Sequence, residues 1–543
     1  MRRSRVVGLS AVCAAVAGGV WLALPPTGSD LSAQVARADF FAAHGTALVD
    51  LRWYGGIHPL GYSLVSPPLM ATFGVRVTGV LALVAAATAF AALLVRTPVP
   101  RPLLGSLVGV LTITGNLVSG RVTYALGVAF GLAALLALTL PAHAPPARRW
   151  ARPALVAAGA LLASATSPVA GLFVGLAGAA LLLTRRYADG LLLGVAAALP
   201  LGVTGLLFGE GGWMNISRTD TLRAVLTSLV VALVAYRPVR VGALLSAAGV
   251  LAAALVHTPV GLNATRLVVM FALPVLAAAA RPPRGLADRL RAASRGRTHV
   301  GATAPTGVAR WRRAGGGVAL AGLLVAVCAW QPPVVAADLR SVDDPTAARS
   351  FFAPLRAELD RRGLTGRVEV PPTRNYWEAA RLGEVPLARG WLRQADIDRN
   401  PLFFTTVPGA AGTGVPLTAD SYRAWLAENA VQYVAVPDAP LSWVGRREAE
   451  LVTAGLPYLT QVWSDERWRL YAVADPTPIV GAPGELVRQD AASLTFRTSA
   501  AGTVPVRVRH TRWLTASGGA TVAADGDWTT VTVPRAGTYT LGG

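Results

Sequence analysis

Carboxylate side chains are scarce in the apolar N-terminal part of this chain, and three of them lie in one polar loop. The acidic residues between positions 1 and 330 are Asp30, Asp39, Asp50, Asp189, Glu210, Asp220 and Asp288. A carboxylate at the mouth of an apolar bundle is costly to desolvate, and it can accept a proton or pair with a cation. We therefore single out Asp30, which directly follows the first apolar run, as the first candidate for chemistry.

The loop that carries Asp30, residues 25–62, is longer than an ordinary connector between helices, which has about 2–8 residues. Four of its apolar residues share one helical face and predict a helix in the membrane interface: Leu31, Val35, Ala38 and Phe41. An aromatic, glycine-rich run follows at 53–62. Two structural roles compete with a functional one, with Asp30 as the N-cap of this helix and Asp39 on its solvated face.

Motifs for nucleotide, metal or covalent chemistry are absent from the sequence. The chain has no P-loop, no GxGxxG after a strand, no HExxH, no GxSxG and no zinc-ligand cluster. Its two cysteines, Cys13 and Cys328, fall in separate apolar runs and offer no metal-site spacing. We predict no cofactor and no metal site; assistance by a divalent metal stays open, but no ligand pattern in the sequence supports it.

The composition is that of a polytopic membrane protein. Of the 543 residues, 53% are hydrophobic and 15% are charged, whereas a soluble domain has about 25% charged residues. Apolar runs of about 17–22 residues recur, and these are long enough to cross a bilayer as helices. The predicted spans lie near 6–24, 70–95, 103–119, 121–140, 152–165, 168–184, 189–208, 221–236, 240–256, 264–280 and 315–330.

The net charge of +21 comes from arginine alone, and its distribution indicates topology. Arginines cluster in every second loop between the spans, and the largest group lies at 281–313, as the positive-inside rule predicts. We predict a multi-pass plasma-membrane protein with a cytoplasmic N-terminus and an extracytoplasmic C-terminal part. Its partner by charge and hydropathy is the lipid bilayer, and nucleic acid is not expected.

The chain changes character after the last predicted span. Helical and strand-like segments alternate over 331–480 and predict an extracytoplasmic α/β domain. Short alternating strands with Gly and Asp-Gly turns over 481–543 predict a small β-sandwich-like domain. The predicted fold is an α-helical polytopic bundle of about eleven spans, residues 1–330, followed by these two regions.

This layout resembles the GT-C superfamily of polytopic membrane glycosyltransferases, and more narrowly the actinobacterial arabinofuranosyl- and mannosyltransferases of the cell envelope. The resemblance is carried by the long first external loop with Asp30, by segments 389–394 and 400–404, and by the apolar strand 431–436. It implies an enzyme that moves a sugar from a polyprenyl-phosphate donor to an envelope glycan or lipid acceptor.

The resemblance also implies roles for individual side chains. Asp30 would be catalytic, with Asp39 as a second acid, and Asp30 would take the proton from the acceptor hydroxyl as it attacks the anomeric carbon. Cationic side chains would bind the leaving lipid phosphate: Arg52, His58, Arg121, Arg218 and Arg266, with His257 as a further donor. Aromatic side chains would stack on the acceptor: Tyr376, Trp377 and Trp391.

Other interpretations stay open at this point. Arg121 and Arg266 begin spans, where arginine often reaches to lipid headgroups, and tryptophans of a globular domain usually belong to its core. A non-catalytic envelope protein that binds glycan or lipid would share the fold without the chemistry. A transporter is less favoured, because polar residues within the spans are few and no two-fold repeat is visible. A cavity that holds Asp30 beside an arginine would favour the enzyme.

Overall fold

The computed structural model describes residues 3–141, 150–280, 306–410 and 414–543. The helices of the N-terminal part are α1 (Arg3–Ala23), α2 (Leu31–His44), α3 (Ser66–Phe73), α4 (Val75–Arg96), α5 (Pro102–Val118), α6 (Val122–Ala137), α7 (Ala151–Thr166), α8 (Pro168–Leu183), α9 (Tyr187–Phe208), α10 (Arg218–Val234), α11 (Arg237–Leu255), α12 (Arg266–Ala279) and α13 (Thr306–Trp330). Within these ranges each predicted span overlaps a helix. Among the described residues, five helices are long and apolar enough to cross a membrane, and several further apolar helices are shorter. The chain is therefore a multi-pass membrane protein, while the number of spans and their orientation stay predictions.

Two span boundaries show how local sequence sets the helices. The predicted division at Ser167 is confirmed, because its side chain accepts from the Ala170 backbone N–H and Pro168 begins α8. The predicted span 70–95 starts too early. Gly74, at φ +83°, ends α3 and begins α4, so the chain turns before it enters the bundle.

Small residues let neighbouring helices of the bundle approach closely. A Cβ atom on Gly159 of α7 would lie 2.9 Å from the Cβ of Ala134 in α6. A Cβ atom on Gly178 of α8 would lie 2.9 Å from the backbone oxygen of Gly190 in α9. Such contacts are typical of helices that associate in a membrane, where packing replaces the hydrophobic effect.

Helix α2 forms as predicted, and protein covers most of its surface. Its buried residues Leu31 and Ala36 share one apolar cluster with Phe352, Leu355 and Trp377 from the C-terminal part. The apolar face therefore packs on protein, whereas the position of the helix relative to the bilayer stays a prediction. This burial fixes which faces of α2 are available to a site.

The C-terminal part contains a mixed sheet and a β-sandwich. Its helices are α14 (Ala336–Leu339), α15 (Arg349–Arg362), α16 (Glu378–Arg381), α17 (Arg393–Arg399), α18 (Ala419–Glu428) and α19 (Trp443–Thr453). The mixed sheet has the order β1-β2-β4-β3. In it β1 (Arg367–Glu369) is parallel to β2 (Val431–Pro437), and β3 (Leu459–Ser464) and β4 (Trp468–Val473) form an antiparallel hairpin.

The sandwich consists of two antiparallel sheets with the orders β7-β10-β9 and β5-β6-β11-β8. Its strands are β5 (Gly484–Gln489), β6 (Ser493–Thr498), β7 (Gly502–Arg509), β8 (Thr515–Ala516), β9 (Thr521–Asp525), β10 (Trp528–Val533) and β11 (Gly537–Gly542). Val49 and Leu51 of the first loop share its apolar core. The predicted β-rich C-terminal region is confirmed, whereas the domain boundaries stay predictions.

Candidate active site

A cavity of about 710 Å³ lies where the helical bundle meets the C-terminal part. Its wall combines the start of α2 with Arg121 before α6, Arg266 at the start of α12, and segment 390–394. The cavity thus depends on chain segments that are several hundred residues apart. Asp30 lies in its lining.

Two glycines bring Asp30 next to the α5–α6 turn. Gly28 has φ +100°, and a Cβ atom there would lie 2.3 Å from the backbone carbon of Ser119. Gly120 has φ +74°, and a Cβ atom there would lie 2.5 Å from the backbone nitrogen of Leu31. Only glycine fits either position. The two turns therefore touch, and the Asp30 N–H donates to the Ser119 carbonyl at 3.1 Å.

The Asp30 carboxylate pairs with two arginines. Its Oδ2 accepts from Arg121 Nε at 3.3 Å and from Arg266 Nη2 at 3.2 Å, and the residue is 7% exposed. Asp30 occupies the N-cap position of α2, but its side chain makes no capping hydrogen bond. The competing N-cap role is therefore not supported by the contacts, because the carboxylate faces the guanidinium groups.

Arg37 is a third arginine of this cavity, and the sequence interpretation missed it. Both of its terminal nitrogens are buried and have no hydrogen-bond partner among the described residues. Its Cζ lies 3.5 Å from the centroid of the Tyr62 ring. Burial lowers the pKa of the guanidinium. The spacing was an available signal, because Asp30 and Arg37 lie seven residues apart, about two turns along one helical face.

His58 and Glu210 form a second polar group of the cavity. His58 Nδ1 lies 3.1 Å from Glu210 Oε1, and its Nε2 lies 2.9 Å from Thr511 Oγ1 in the sandwich. Glu210 Oε2 accepts from Arg399 Nη2 at 2.6 Å. Burial opposes ionisation of Glu210, but the contacts with His58 and Arg399 outweigh it and hold its pKa below the ordinary value. The group ties the bundle to the C-terminal part at the cavity wall.

Two of the three predicted aromatic residues line the cavity. Trp391 Nε1 donates to the Ser29 carbonyl at 2.8 Å, next to Asp30. The Tyr376 hydroxyl accepts from Arg393 Nη2 at 3.0 Å. Trp377 does not line the cavity, because its side chain is packed in the apolar core and is 1% exposed.

Two predicted site residues lie on exposed surface outside the lining. Asp39 is exposed on α2, about 200° around the helix from Arg37 at about 100° per residue. Arg218 is exposed at the start of α10. Their predicted roles therefore need correction, since neither side chain reaches the cavity that holds Asp30.

Two further residues that were predicted to bind phosphate, Arg52 and His257, contact other side chains of the protein. Arg52 donates from Nε and Nη2 to the two oxygens of Asp50 at 2.9 and 2.7 Å, and it is buried away from the cavity. His257 stacks on Trp213 with ring centroids 4.0 Å apart and is not part of the lining. Arg52 therefore neutralises a neighbouring carboxylate and is not free to bind phosphate.

A second cavity of about 410 Å³ lies within the bundle and is lined mostly by apolar side chains; we call it the apolar groove. Phe90, Leu132 and Phe271 belong to it, and Tyr124 forms part of its wall. The Arg266 Cζ lies 5.4 Å from the centroid of the Tyr124 ring. Arg266 therefore contacts both the polar cavity and a residue of this apolar groove.

No protein-family model matches the chain, and no curated protein matches it either. Among solved structures, the arabinofuranosyltransferase AftD from mycobacteria is 16% identical with a TM-score of 0.46, over 92% of this chain and 41% of that chain. ArnT from Cupriavidus metallidurans, bound to undecaprenyl phosphate, is 15% identical with a TM-score of 0.43, over 87% of this chain and 98% of that chain.

The present chain spans about two fifths of the length of the mycobacterial protein. Identities under 25% and TM-scores under 0.5 assign no activity to this chain, so its function is inferred from the site.

Proposed function

We propose that the protein is a membrane glycosyltransferase that moves a sugar from a polyprenyl-phosphate donor to a glycan or lipid acceptor of the cell envelope. The observation that carries the proposal is the carboxylate of Asp30, which lies in a cavity between Arg121 and Arg266. A base and a phosphate-binding cation are the two groups that such a transfer requires side by side.

The apolar groove supports a lipid-linked donor. A polyprenyl phosphate has a long apolar tail and an anionic head, and the groove and the arginine cluster meet at Tyr124 and Arg266. A water-soluble sugar nucleotide would need no such groove. The described residues contain no group of three His, Cys, Asp or Glu side chains arranged to hold a metal, and the proposal includes neither a metal nor another cofactor.

The ion pairs of Asp30 suggest how the reaction proceeds. The acceptor hydroxyl gives its proton to Asp30 while its oxygen bonds to the anomeric carbon, and the bond from that carbon to the phosphate oxygen breaks. Negative charge therefore moves from Asp30 to the leaving phosphate. Arg121 and Arg266 lie where they can follow this charge, exchanging a carboxylate partner for a phosphate partner.

Tyr376 and Trp391 complete the proposed site as the acceptor-facing residues. Both line the cavity on the side of the C-terminal part, and Trp391 is fixed to the Asp30 loop by its bond to Ser29. An aromatic ring offers a flat apolar surface on which one face of a sugar ring can lie. His58 lines the same cavity, but its two ring nitrogens face Glu210 and Thr511, so we assign it no phosphate contact.

The experiment measures transfer of labelled sugar from a polyprenyl-phosphate donor in membranes that carry the protein. We expect Asp30→Asn to lose at least about a hundredfold in rate, because general-base catalysis contributes about 10²–10⁴-fold. Asp438→Asn removes an exposed carboxylate of the C-terminal part and serves as the control.

A folded Asp30→Asn protein that transfers sugar at the wild-type rate would refute the assignment of Asp30. Absence of transfer by the wild type with each polyprenyl-phosphate sugar of a test panel would favour a protein that binds envelope lipid or glycan. The two ion pairs of Asp30 are the observation that favours this second function, because an ion pair can stabilise a fold without taking part in a reaction.

A further inference from the structure

Arg37 combines deep burial with donors that have no acceptor. The residue is 4% exposed, and neither Nη1 nor Nη2 has a hydrogen-bond partner among the described residues. Buried donors are nearly always paired, and a guanidinium is not deprotonated in proteins. An unpaired buried cation is costly, so its presence in a cavity wall requires an explanation.

Aromatic rings surround the guanidinium of Arg37. Its Cζ lies 3.5 Å from the ring centroid of Tyr62, 5.5 Å from that of Trp391 and 5.8 Å from that of Trp53. The face of an aromatic ring attracts a cation but accepts none of its N–H groups as a carboxylate would. The donors of a guanidinium point outward in its own plane. The rings therefore position the cation and leave its donors available.

The carboxylates nearest in the fold are bound to other arginines. Asp30 accepts from Arg121 and Arg266, and Asp50 accepts from Arg52 through both of its oxygens. No described carboxylate forms an ion pair with Arg37. Arg37 lines the same cavity as Asp30, so an anion in the cavity lies close to its buried terminal nitrogens.

We propose that Arg37 is the residue that binds the incoming phosphate group, while Arg121 and Arg266 hold Asp30 until the transfer begins. A guanidinium can donate two parallel hydrogen bonds to phosphate oxygens, and the free Nη1 and Nη2 provide them. The phosphate can belong to a lipid or be the free ion. The apolar groove that meets Arg266 favours the lipid.

The inference rests on the proposed function only for the identity of the lipid, since phosphate binding can be measured without sugar transfer. The test uses the purified full chain in detergent and measures binding of a short-chain polyprenyl phosphate and of inorganic phosphate. The variants are Arg37→Gln, Arg37→Lys and, as a matched control, Arg446→Gln, which changes an exposed arginine of the C-terminal part.

We expect Arg37→Gln to weaken binding of the polyprenyl phosphate by about 10–100-fold, the usual effect of losing hydrogen bonds to a charged group. Arg37→Lys keeps part of the affinity, and Arg446→Gln leaves it unchanged. If the wild type binds inorganic phosphate as tightly as the polyprenyl phosphate and Arg37→Gln weakens both, the role of Arg37 is upheld but the lipid is overturned as its ligand. Wild-type affinity in Arg37→Gln would overturn the inference.

Thermal unfolding without ligand separates a binding role from a structural one. If Arg37 is kept for a ligand, Arg37→Gln removes an unpaired buried charge, and its unfolding temperature equals or exceeds that of the wild type. A lower unfolding temperature with unchanged affinity would make Arg37 a structural residue. If Arg37→Gln does not fold, Arg37→Lys takes its place, because it keeps the charge and loses the bidentate geometry. A reduced affinity of Arg37→Lys for the polyprenyl phosphate would uphold the inference, and wild-type affinity would overturn it.

The two proposals fail in different ways. Loss of phosphate binding in Arg37→Gln, with no sugar transfer by the wild type, would uphold the phosphate site and overturn the glycosyltransferase. Sugar transfer by the wild type, with full phosphate binding in Arg37→Gln, would do the reverse.

Discussion

Replacement of Gly28 by alanine tests whether the contact between two turns sets the position of Asp30. The new Cβ atom would lie 2.3 Å from the Ser119 backbone carbon, whereas ordinary contacts begin at 3.4 Å. The turns must therefore move apart by about 1.1 Å, which separates Asp30 from Arg121. A displacement of about 1 Å in a catalytic arrangement costs about a hundredfold in rate. We expect Gly28→Ala to lose about that factor in sugar transfer.

Gly45→Ala is the matched control, because it carries the same kind of backbone strain without the clash. Gly45 has φ +60°, and a Cβ atom there would meet nothing within 4 Å. Both variants store strain of about 1–3 kcal/mol from a positive φ, so their unfolding temperatures fall by comparable amounts apart from the clash. If both folded variants lose the same fraction of their transfer rate, strain explains the loss and the positioning argument fails.

Two further predictions concern stability. Arg52→Gln leaves the buried Asp50 carboxylate unpaired, so we expect a loss of about 3–5 kcal/mol in the free energy of unfolding, with phosphate affinity of the folded fraction unchanged. Unchanged stability would contradict this structural role. Burial raises the pKa of Glu378 to about 8. The folded protein therefore holds a proton that the unfolded chain releases above about pH 4.5, and stability falls as the pH rises from there to about 8. Glu378→Gln is expected to remove this decline in pH-dependent unfolding, and an undiminished decline in the variant would assign it to another group.

The helices of the bundle could be predicted from the sequence because each is marked by a local pattern of residues. Apolar runs and the arginines between them mark the spans, and Pro168 after Ser167 marks a helix start that packing does not need to decide. Asp30, Arg121 and Arg266 could be singled out for the same reason, since each lies at an end of an apolar run. Their meeting in space required tertiary contacts that no local pattern contains.

The residues that were misjudged depend on what covers them. Arg37 on α2 reads as a solvated residue until the C-terminal part buries the helix. Arg52 reads as a free cation, but a turn folds it back onto Asp50, two residues earlier. The local sequence does not tell whether Trp377 or Trp391 faces a cavity, because only the packing places one in the core and the other in the cavity wall.

The bonds across the cavity also set an order of events during biosynthesis. Ser29 receives its bond from Trp391, and the Tyr54 hydroxyl donates to the Gly390 carbonyl and accepts from the Leu392 N–H. The ribosome therefore makes more than three hundred residues after the Asp30 loop before the cavity wall exists. Until then the cavity beside the N-terminal helices lacks the part of its wall that residues 390–392 provide. A ligand that needs the complete cavity can therefore bind only after residues 390–392 have been synthesised and have packed against the first loop.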